Sequence, residues 1–111
     1  MRRAGGALLA AGVGLALAGC GPPSSGLSAG ELWHEHCLRC HGADGSGRAL
    51  QRELDPGLDL TASRMVAARA RGLVFQRIAY GYAGMPGFAH KLEQGDLELL
   101  TDFVLRLHRE R

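Results

Sequence analysis

The chain has 111 residues, enough for one small domain, and its formal net charge is only +2. Because the sequence contains no run of basic residues, its charge argues against nucleic acid as a partner. Aromatic residues make up only 5% of the chain, so we expect a small hydrophobic core. A bound cofactor would add apolar contacts that such a core lacks.

Residues 1–19 have the layout of an export signal. Arg2 and Arg3 come first, and a run of small and apolar residues follows as far as Gly19. This run is shorter than the roughly 20 residues that a transmembrane helix needs. A permanent membrane span is therefore the weaker interpretation.

The run ends in Leu17-Ala18-Gly19-Cys20, which resembles the signal of bacterial lipoproteins. The resemblance implies cleavage before Cys20 and a diacylglycerol on its thiol, with enough acyl chains for stable anchoring. An ordinary signal peptide with an incidental cysteine is the alternative. The residue after the cysteine is Gly21 rather than Asp, which favours the outer membrane. We expect the mature protein to be exported and anchored by lipid on the periplasmic side of a bacterial membrane.

The stretch after the cysteine, GPPSSG, is typical of a flexible tether. We therefore predict a lipoprotein signal peptide over residues 1–19, a lipidated tether over residues 20–27 and a folded domain over residues 28–111. Ser28 and Glu31 form a capping-box pattern, which predicts a first helix over about Ala29–Cys37. Leu32 and Trp33 fall on its apolar face.

The next motif is HCLRCHG, in which Cys37 and Cys40 are followed directly by His41. In an oxidising compartment the two cysteines could form a disulfide or a thioredoxin-like dithiol, but the dithiol motif belongs in a βαβ pattern that is not evident here. A structural zinc site needs a second ligand pair, and His34 and His36 lie too close to supply one. The remaining interpretation is covalent haem c, for which C-x-x-C-H is the signature.

The middle of the chain predicts a Gly-rich loop that contains Pro56, followed by two short helices. The first helix should begin near Thr61 or Ser63 and end at Gly72, and the second should span about Leu73–Tyr80. Four arginines in this region are interpreted as solvated faces, with a docking patch or contacts to haem propionates as the alternative: Arg64, Arg69, Arg71 and Arg77.

The stretch GYAGMPGF is too rich in Gly and Pro for a regular helix. Met85 therefore lies on a loop, from which its thioether could reach an iron atom. Two other residues could bind iron in place of Met85. Met65 lies on a predicted helix and is more typical of a core residue, and His90 lies beyond the loop.

A last helix is predicted over about Gln94–His108, because Leu97, Leu100 and Val104 recur at three- and four-residue steps. It should pack on the first helix, with Phe103 near Trp33.

From about Leu27 to its end, the chain resembles bacterial class I cytochromes c with a single haem. CLRCHGADGSG resembles the haem-attachment segment of that family, and GMPGF resembles its distal-ligand loop. The resemblance implies an all-α fold of about four to five short helices and loops around one haem c. It also implies covalent attachment at Cys37 and Cys40 and axial iron ligation by His41 and Met85. The carbonyl of Pro56 would accept the imidazole N–H of His41.

The implied function is electron transfer in a respiratory or periplasmic redox chain, with redox proteins as partners and no small-molecule substrate. The protein would be a carrier rather than an enzyme, either alone or as a subunit of an oxidoreductase complex. Two alternatives remain open at this stage. One is a small haem sensor or peroxidase-like protein with a displaceable distal ligand, and the other is a haemless lipoprotein with a disulfide in its CxxC motif.

Overall fold

The computed structural model of the protein describes residues 4–7, 11–12 and 20–108. The predicted signal peptide therefore lies largely outside the described residues and stays a prediction. Of the helices within these stretches, none combines the length and the apolar character that a bilayer crossing demands.

Residues 20–108 form six α-helices and two 3-10 turns, without any strand, which confirms the predicted all-α class. The described residues contain more helices than the four to five expected. One additional short helix carries the CxxCH motif, and another interrupts the predicted Gly-rich loop. In chain order the helices are α1 (Ala29–His36), α2 (Leu38–His41), α3 (Ala49–Leu54), α4 (Arg64–Ala67), α5 (Arg71–Tyr80) and α6 (Gln94–Leu105). The 3-10 turns are Pro56–Leu58 and Leu60–Ala62.

Two predicted helix ends are wrong. The helix expected to end at Gly72 ends at Ala67, because the chain turns through Arg69, whose φ is +52°. Gly72 instead lies in the first turn of α5. The last helix ends at Leu105 rather than at His108, because a tighter 3-10 hydrogen bond from Leu107 N–H to Val104 O replaces the α-helical pattern.

Helix α1 begins as the sequence predicts. The Ser28 hydroxyl accepts a hydrogen bond from the Glu31 N–H at 3.2 Å, and the Glu31 carboxylate accepts one from the Ser28 N–H at 2.8 Å. The bond from the Ser28 backbone, followed by the interaction with its side chain, lowers the pKa of Glu31. Both bonds satisfy donors that the first turn of a helix would otherwise leave without partners.

The core lies where α1 and α5 pack against α6. Trp33 of α1 contacts Phe103 of α6 with 4.9 Å between ring centroids, which confirms the predicted pairing. An exposed ion pair between Arg71 and Asp102 also joins α5 to α6. The buried apolar side chains form one cluster and are Leu32, Trp33, Cys37, Val66, Val74, Ile78, Ala79, Phe88, Leu97, Leu100, Val104 and Leu105.

The predicted tether is partly fixed to the domain. Pro23 O accepts a hydrogen bond of 2.7 Å from the Gly95 N–H in the first turn of α6. Asp96, whose exposed fraction is only 1%, accepts bonds from the Ser25 N–H at 3.0 Å and from the Ser25 hydroxyl at 2.9 Å. These contacts fix residues 23–25 against α6, although the sequence predicts a flexible tether there.

We expect Leu32→Ala to lower the free energy of unfolding by about 2–5 kcal/mol, because it leaves a cavity between α1 and α6. Leu32 is 0% exposed, whereas Leu50 on α3 is 78% exposed. Leu50→Ala is therefore the matched control and should change stability by less than about 0.5 kcal/mol. Urea unfolding of the haem-loaded proteins measures both values, and equal losses would contradict the position of the core.

Candidate functional site

The C-x-x-C-H motif forms one helical turn. The N–H groups of Cys40 and His41 both donate to Cys37 O, at 3.2 and 3.0 Å. Because residues three and four positions apart share one side of a helix, this turn gathers both sulfur atoms and the imidazole on the same side. Cys37 and His41 are buried, and Cys40 is exposed.

Trp33 supports this turn from α1. Its indole N–H donates to Gly42 O at 3.0 Å, and its ring centroid lies 6.0 Å from that of His41. Gly42 ends α2 with a φ of +75°, which a residue with a side chain rarely adopts. The indole thus connects the end of the CxxCH turn to the α1–α6 interface.

The orientation of the His41 ring is set by a backbone carbonyl. Nδ1 lies 2.9 Å from Leu58 O. Because a carbonyl only accepts hydrogen bonds, Nδ1 is the donor of this pair. Nε2 is therefore the ring nitrogen that remains to bind a metal.

The prediction that the carbonyl of Pro56 accepts the hydrogen bond from the His41 imidazole is wrong. Pro56 begins a 3-10 turn, and its carbonyl accepts the N–H of Asp59 at 3.2 Å. The turn brings the carbonyl of Leu58 to His41 in its place. The loop was placed correctly, but the acceptor is two residues further along.

The Gly-rich loop holds the other side of this arrangement. Gly47 N–H donates to His41 O at 2.7 Å, and Leu60 N–H donates to Gly45 O at 2.7 Å. Gly47 has a φ of +81°, and a Cβ added there would lie only 3.3 Å from the carbonyl carbon and oxygen of Leu58. The loop can therefore approach Leu58 closely only because this position has no side chain.

Met85 lies on a tight turn after α5. The N–H and carbonyl groups of Tyr82 and Met85 exchange two hydrogen bonds, of 3.1 and 2.9 Å. Met85 is half-buried and packs against the core. The loop position expected for its thioether is thus present.

The chain after Met85 is bound back onto α5. Phe88 N–H donates to Ile78 O at 3.0 Å, and the buried Phe88 ring anchors this segment. A Cβ at Gly87 would lie 2.6 Å from the carbonyl carbon of Tyr80. Glycine at this position therefore permits the close contact that holds the Met85 turn in place.

One cleft joins the two halves of the site. The cleft is partly open, its empty space of about 450 Å³ includes solvent-accessible space, and its walls are mainly apolar. Cys37, His41 and Met85 all line it, and so does Met65, which the sequence suggested only as a core residue. The other lining residues are Trp33, Leu60, Ser63, Val66, Val74, Arg77, Ile78, Leu100 and Val104.

Arg77 is the charged residue among those lining residues. Its guanidinium carbon lies 3.4 Å from the centroid of the Tyr82 ring, a stacked cation–π contact. The interaction connects α5 to the turn that carries Met85. Arg77 is half-buried and lines the cleft, so it is not simply part of a solvated helix face.

The environment of Cys37 disfavours dithiol chemistry. Burial, with a smaller contribution from the neighbouring Cys40, raises the pKa of the Cys37 thiol to about 11 in the polypeptide alone. A cysteine that attacks disulfides needs a lowered pKa. Across the described ranges, no three His, Cys, Asp or Glu side chains come together as a metal-binding group.

The donor set fits haem c. Two thiols and an imidazole nitrogen lie on one helical turn, and a thioether sulfur lines the same apolar cleft. Imidazole and thioether are the axial ligands of many haem proteins that transfer electrons. Sequence reasoning missed Leu58 because a backbone acceptor has no residue-type signature, and it missed the lining role of Leu60 because no motif marks that position.

Comparison with known proteins agrees with this geometry. Residues 26–104 match the family described as "Cytochrome C oxidase, cbb3-type, subunit III". Among solved structures, a chain described as "KustC0563 c-type cytochrome" is similar, with a TM-score of 0.64 and 23% sequence identity. That similarity covers 75% of this chain and 100% of that chain. No curated protein matches this chain.

The fold and the cleft thus define a cytochrome c domain. The chain belongs to the cytochrome c family whose model is described as cbb3-type oxidase subunit III. A domain of this family carries covalently attached haem c and exchanges electrons with protein partners. The prediction of a c-type cytochrome with covalently bound haem c is therefore confirmed.

We expect Gly47→Ala to destabilise the protein more than Gly26→Ala. Both positions have φ near +80°, so each substitution carries a backbone cost of about 1–2 kcal/mol. Only Gly47 would also press its new Cβ against Leu58, whereas the space around Gly26 is open. The measurements are urea unfolding and proton exchange at His41 Nδ1 by NMR. Equal stability losses and unchanged exchange would contradict the described contact.

Proposed function

We propose that this protein is a single-haem electron carrier in which Cys37 and Cys40 form thioether bonds to the haem, and His41 and Met85 bind its iron. The observation that carries this proposal is that Cys37, His41 and Met85 line one apolar cleft. When bound, haem supplies an iron that gains and loses one electron. The sequence contains a single C-x-x-C-H motif, which supports one haem per chain.

His41 acts as a fixed ligand. The hydrogen bond from its Nδ1 to Leu58 O holds the ring orientation and increases the basicity of Nε2. Since the ring is also buried beside Trp33, it cannot turn without breaking these contacts. A ligand held in this way changes position little when the charge of the iron changes.

Met85 would supply the second ligand of the iron from the same cleft. A thioether favours the ferrous state and so raises the reduction potential, and the apolar walls of the cleft act in the same direction by excluding water. With His41 and Met85 both binding the iron, no position on it would remain for a substrate. This arrangement supports a carrier rather than the alternative of a sensor or peroxidase-like protein.

Met85→Leu should abolish the far-red band of the oxidised protein that arises from sulfur-to-iron charge transfer, and the reduced variant should bind carbon monoxide readily. Met65→Leu is the matched control, because Met65 also lines the cleft but lies on α4. The control should retain the band and resist carbon monoxide. Absorption spectra of both variants measure these outcomes.

If Met65→Leu loses the band and Met85→Leu retains it, Met65 is the iron ligand. If the unaltered protein lacks the band and binds carbon monoxide, the carrier function is wrong and the sensor alternative is favoured.

The protein is further proposed to work on the periplasmic side of a bacterial membrane, the outer membrane being favoured, with acyl chains on Cys20 as its anchor. The support is the order of three features in the sequence: Arg2 and Arg3, then the apolar run, then Leu17-Ala18-Gly19-Cys20. Its electron donor and acceptor are redox proteins of a respiratory or periplasmic chain, and it works either alone or as a subunit of an oxidoreductase complex. Cys20 is exposed.

Cys20→Ser should move the protein from the membrane fraction to the soluble fraction, because the acyl chains that hold it there can no longer be attached. Fractionation of cells, with haem staining of the protein band, measures the distribution. Ser24→Ala, which leaves the thiol in place, is the control and should remain with the membrane. Retention of Cys20→Ser in the membrane would instead support an uncleaved signal helix.

A further inference from the structure

The segment between Cys20 and α1 crosses the first turn of α6, and we call residues 22–25 the strap. Gly95 N–H donates to Pro23 O at 2.7 Å, and the Ser25 N–H and hydroxyl both donate to the Asp96 carboxylate at 3.0 and 2.9 Å. Asp96 is only 1% exposed, so its carboxylate is buried where the strap crosses α6. A buried carboxylate needs such partners.

The contact between the strap and α6 is close enough to depend on glycine. A Cβ added at Gly95 would lie 2.7 Å from Pro23 O and 2.9 Å from Ser24 Cβ. These distances are shorter than a carbon atom normally tolerates from backbone or another carbon. Alanine is the better helix former at such a position, so helix propensity does not explain glycine here, whereas the approach of the strap does.

The strap also has a defined end. The Ser25 hydroxyl accepts a bond of 3.2 Å from the Leu27 N–H, and Gly26 turns the chain with a φ of +84°. Ser28 then caps α1. The strap is thus continuous with the start of the domain and is not an appended tail.

The strap shortens the distance over which an anchor at Cys20 could act. Cys20 precedes Pro23 by three residues (23 − 20), a reach of at most about 11 Å. Without the strap, the first fixed point would be Ser28, eight residues away (28 − 20), with a reach of about 29 Å. The docked strap therefore removes more than half of the possible reach.

The strap is attached to the helix that forms one wall of the cleft. Leu100 and Val104 line the cleft and follow Asp96 on α6 by four and eight residues. At 1.5 Å per residue, they lie about 6 and 12 Å along the helix from the strap. A restraint on the start of α6 therefore restrains the position of the cleft.

We propose that the strap holds the N-terminal end of α6 against the surface of the bilayer in which the acyl chains of Cys20 are inserted. This inference rests on the proposed lipidation of Cys20. The occupant of this face is a lipid surface, and the strap keeps the haem cleft at a short and nearly constant distance from it. Redox partners would then meet the carrier close to the membrane surface.

The test uses the full-length, haem-loaded lipoprotein in phosphatidylcholine vesicles that contain a lipid with a fluorescent headgroup. Haem quenches this fluorescence more strongly at shorter distance. Gly95→Ala displaces the strap, and Gly30→Ala is its matched control, because Gly30 is also a helical glycine but has only the Ser28 hydroxyl, at 4.0 Å, near its added Cβ. Asp96→Ala removes the two bonds to Ser25 by a different route.

Amide hydrogen exchange on the same samples reports the strap directly. The Ser25 and residue-95 amides should be protected in the unaltered protein and in Gly30→Ala. In Gly95→Ala and Asp96→Ala, the Ser25 amide should exchange about tenfold faster or more, as expected for the loss of its hydrogen bonds. Quenching of the headgroup fluorescence should fall in the same two variants and remain unchanged in Gly30→Ala.

Three results would overturn the inference at different steps. An unprotected Ser25 amide in the unaltered protein would show that the strap is not docked. Faster exchange in Gly95→Ala and Asp96→Ala with unchanged quenching would show that the strap does not set the distance to the bilayer. Failure of the unaltered protein to float with the vesicles would overturn the lipid anchor, and with it the membrane contact, while the exchange data would still decide whether the strap is docked.

Discussion

The hydrogen bond between His41 Nδ1 and Leu58 O is the interaction on which the rest of the site depends. It fixes the protonated nitrogen and leaves Nε2 for the cleft. The backbone carbonyl of His41 also accepts a hydrogen bond from the Gly47 N–H. Both the ring and the backbone of His41 are therefore hydrogen-bonded to the segment that follows α2. Trp33 extends this network from Gly42 to the packing between α1 and α6.

The two sides of the cleft are built on different principles. His41 and the cysteines belong to one helical turn, where spacing in the sequence decides their common direction. Met85 depends on a turn that closes on itself and then returns to α5 through Phe88. This second side needs glycine at position 87, because backbone from α5 occupies the space where a side chain would project.

The strap applies the same principle at the edge of the domain. Gly95 permits a close backbone approach, and Asp96 supplies a buried acceptor for Ser25. Although these residues belong to no haem motif, they connect the segment after Cys20 to the helix that forms one wall of the cleft.

The sequence by itself determined the local features: the capping box of α1, the CxxCH turn and the loop position of Met85. Each depends on residue types at short spacing or on helical periodicity. Only the tertiary structure decided that Leu58 O rather than Pro56 O accepts the hydrogen bond from His41 Nδ1–H, that Met65 shares the cleft with Met85, and that Ser25 binds Asp96 across 71 positions. Backbone carbonyls are the same in every residue, and contacts between distant segments arise from packing, so neither leaves a pattern in the sequence that could predict it.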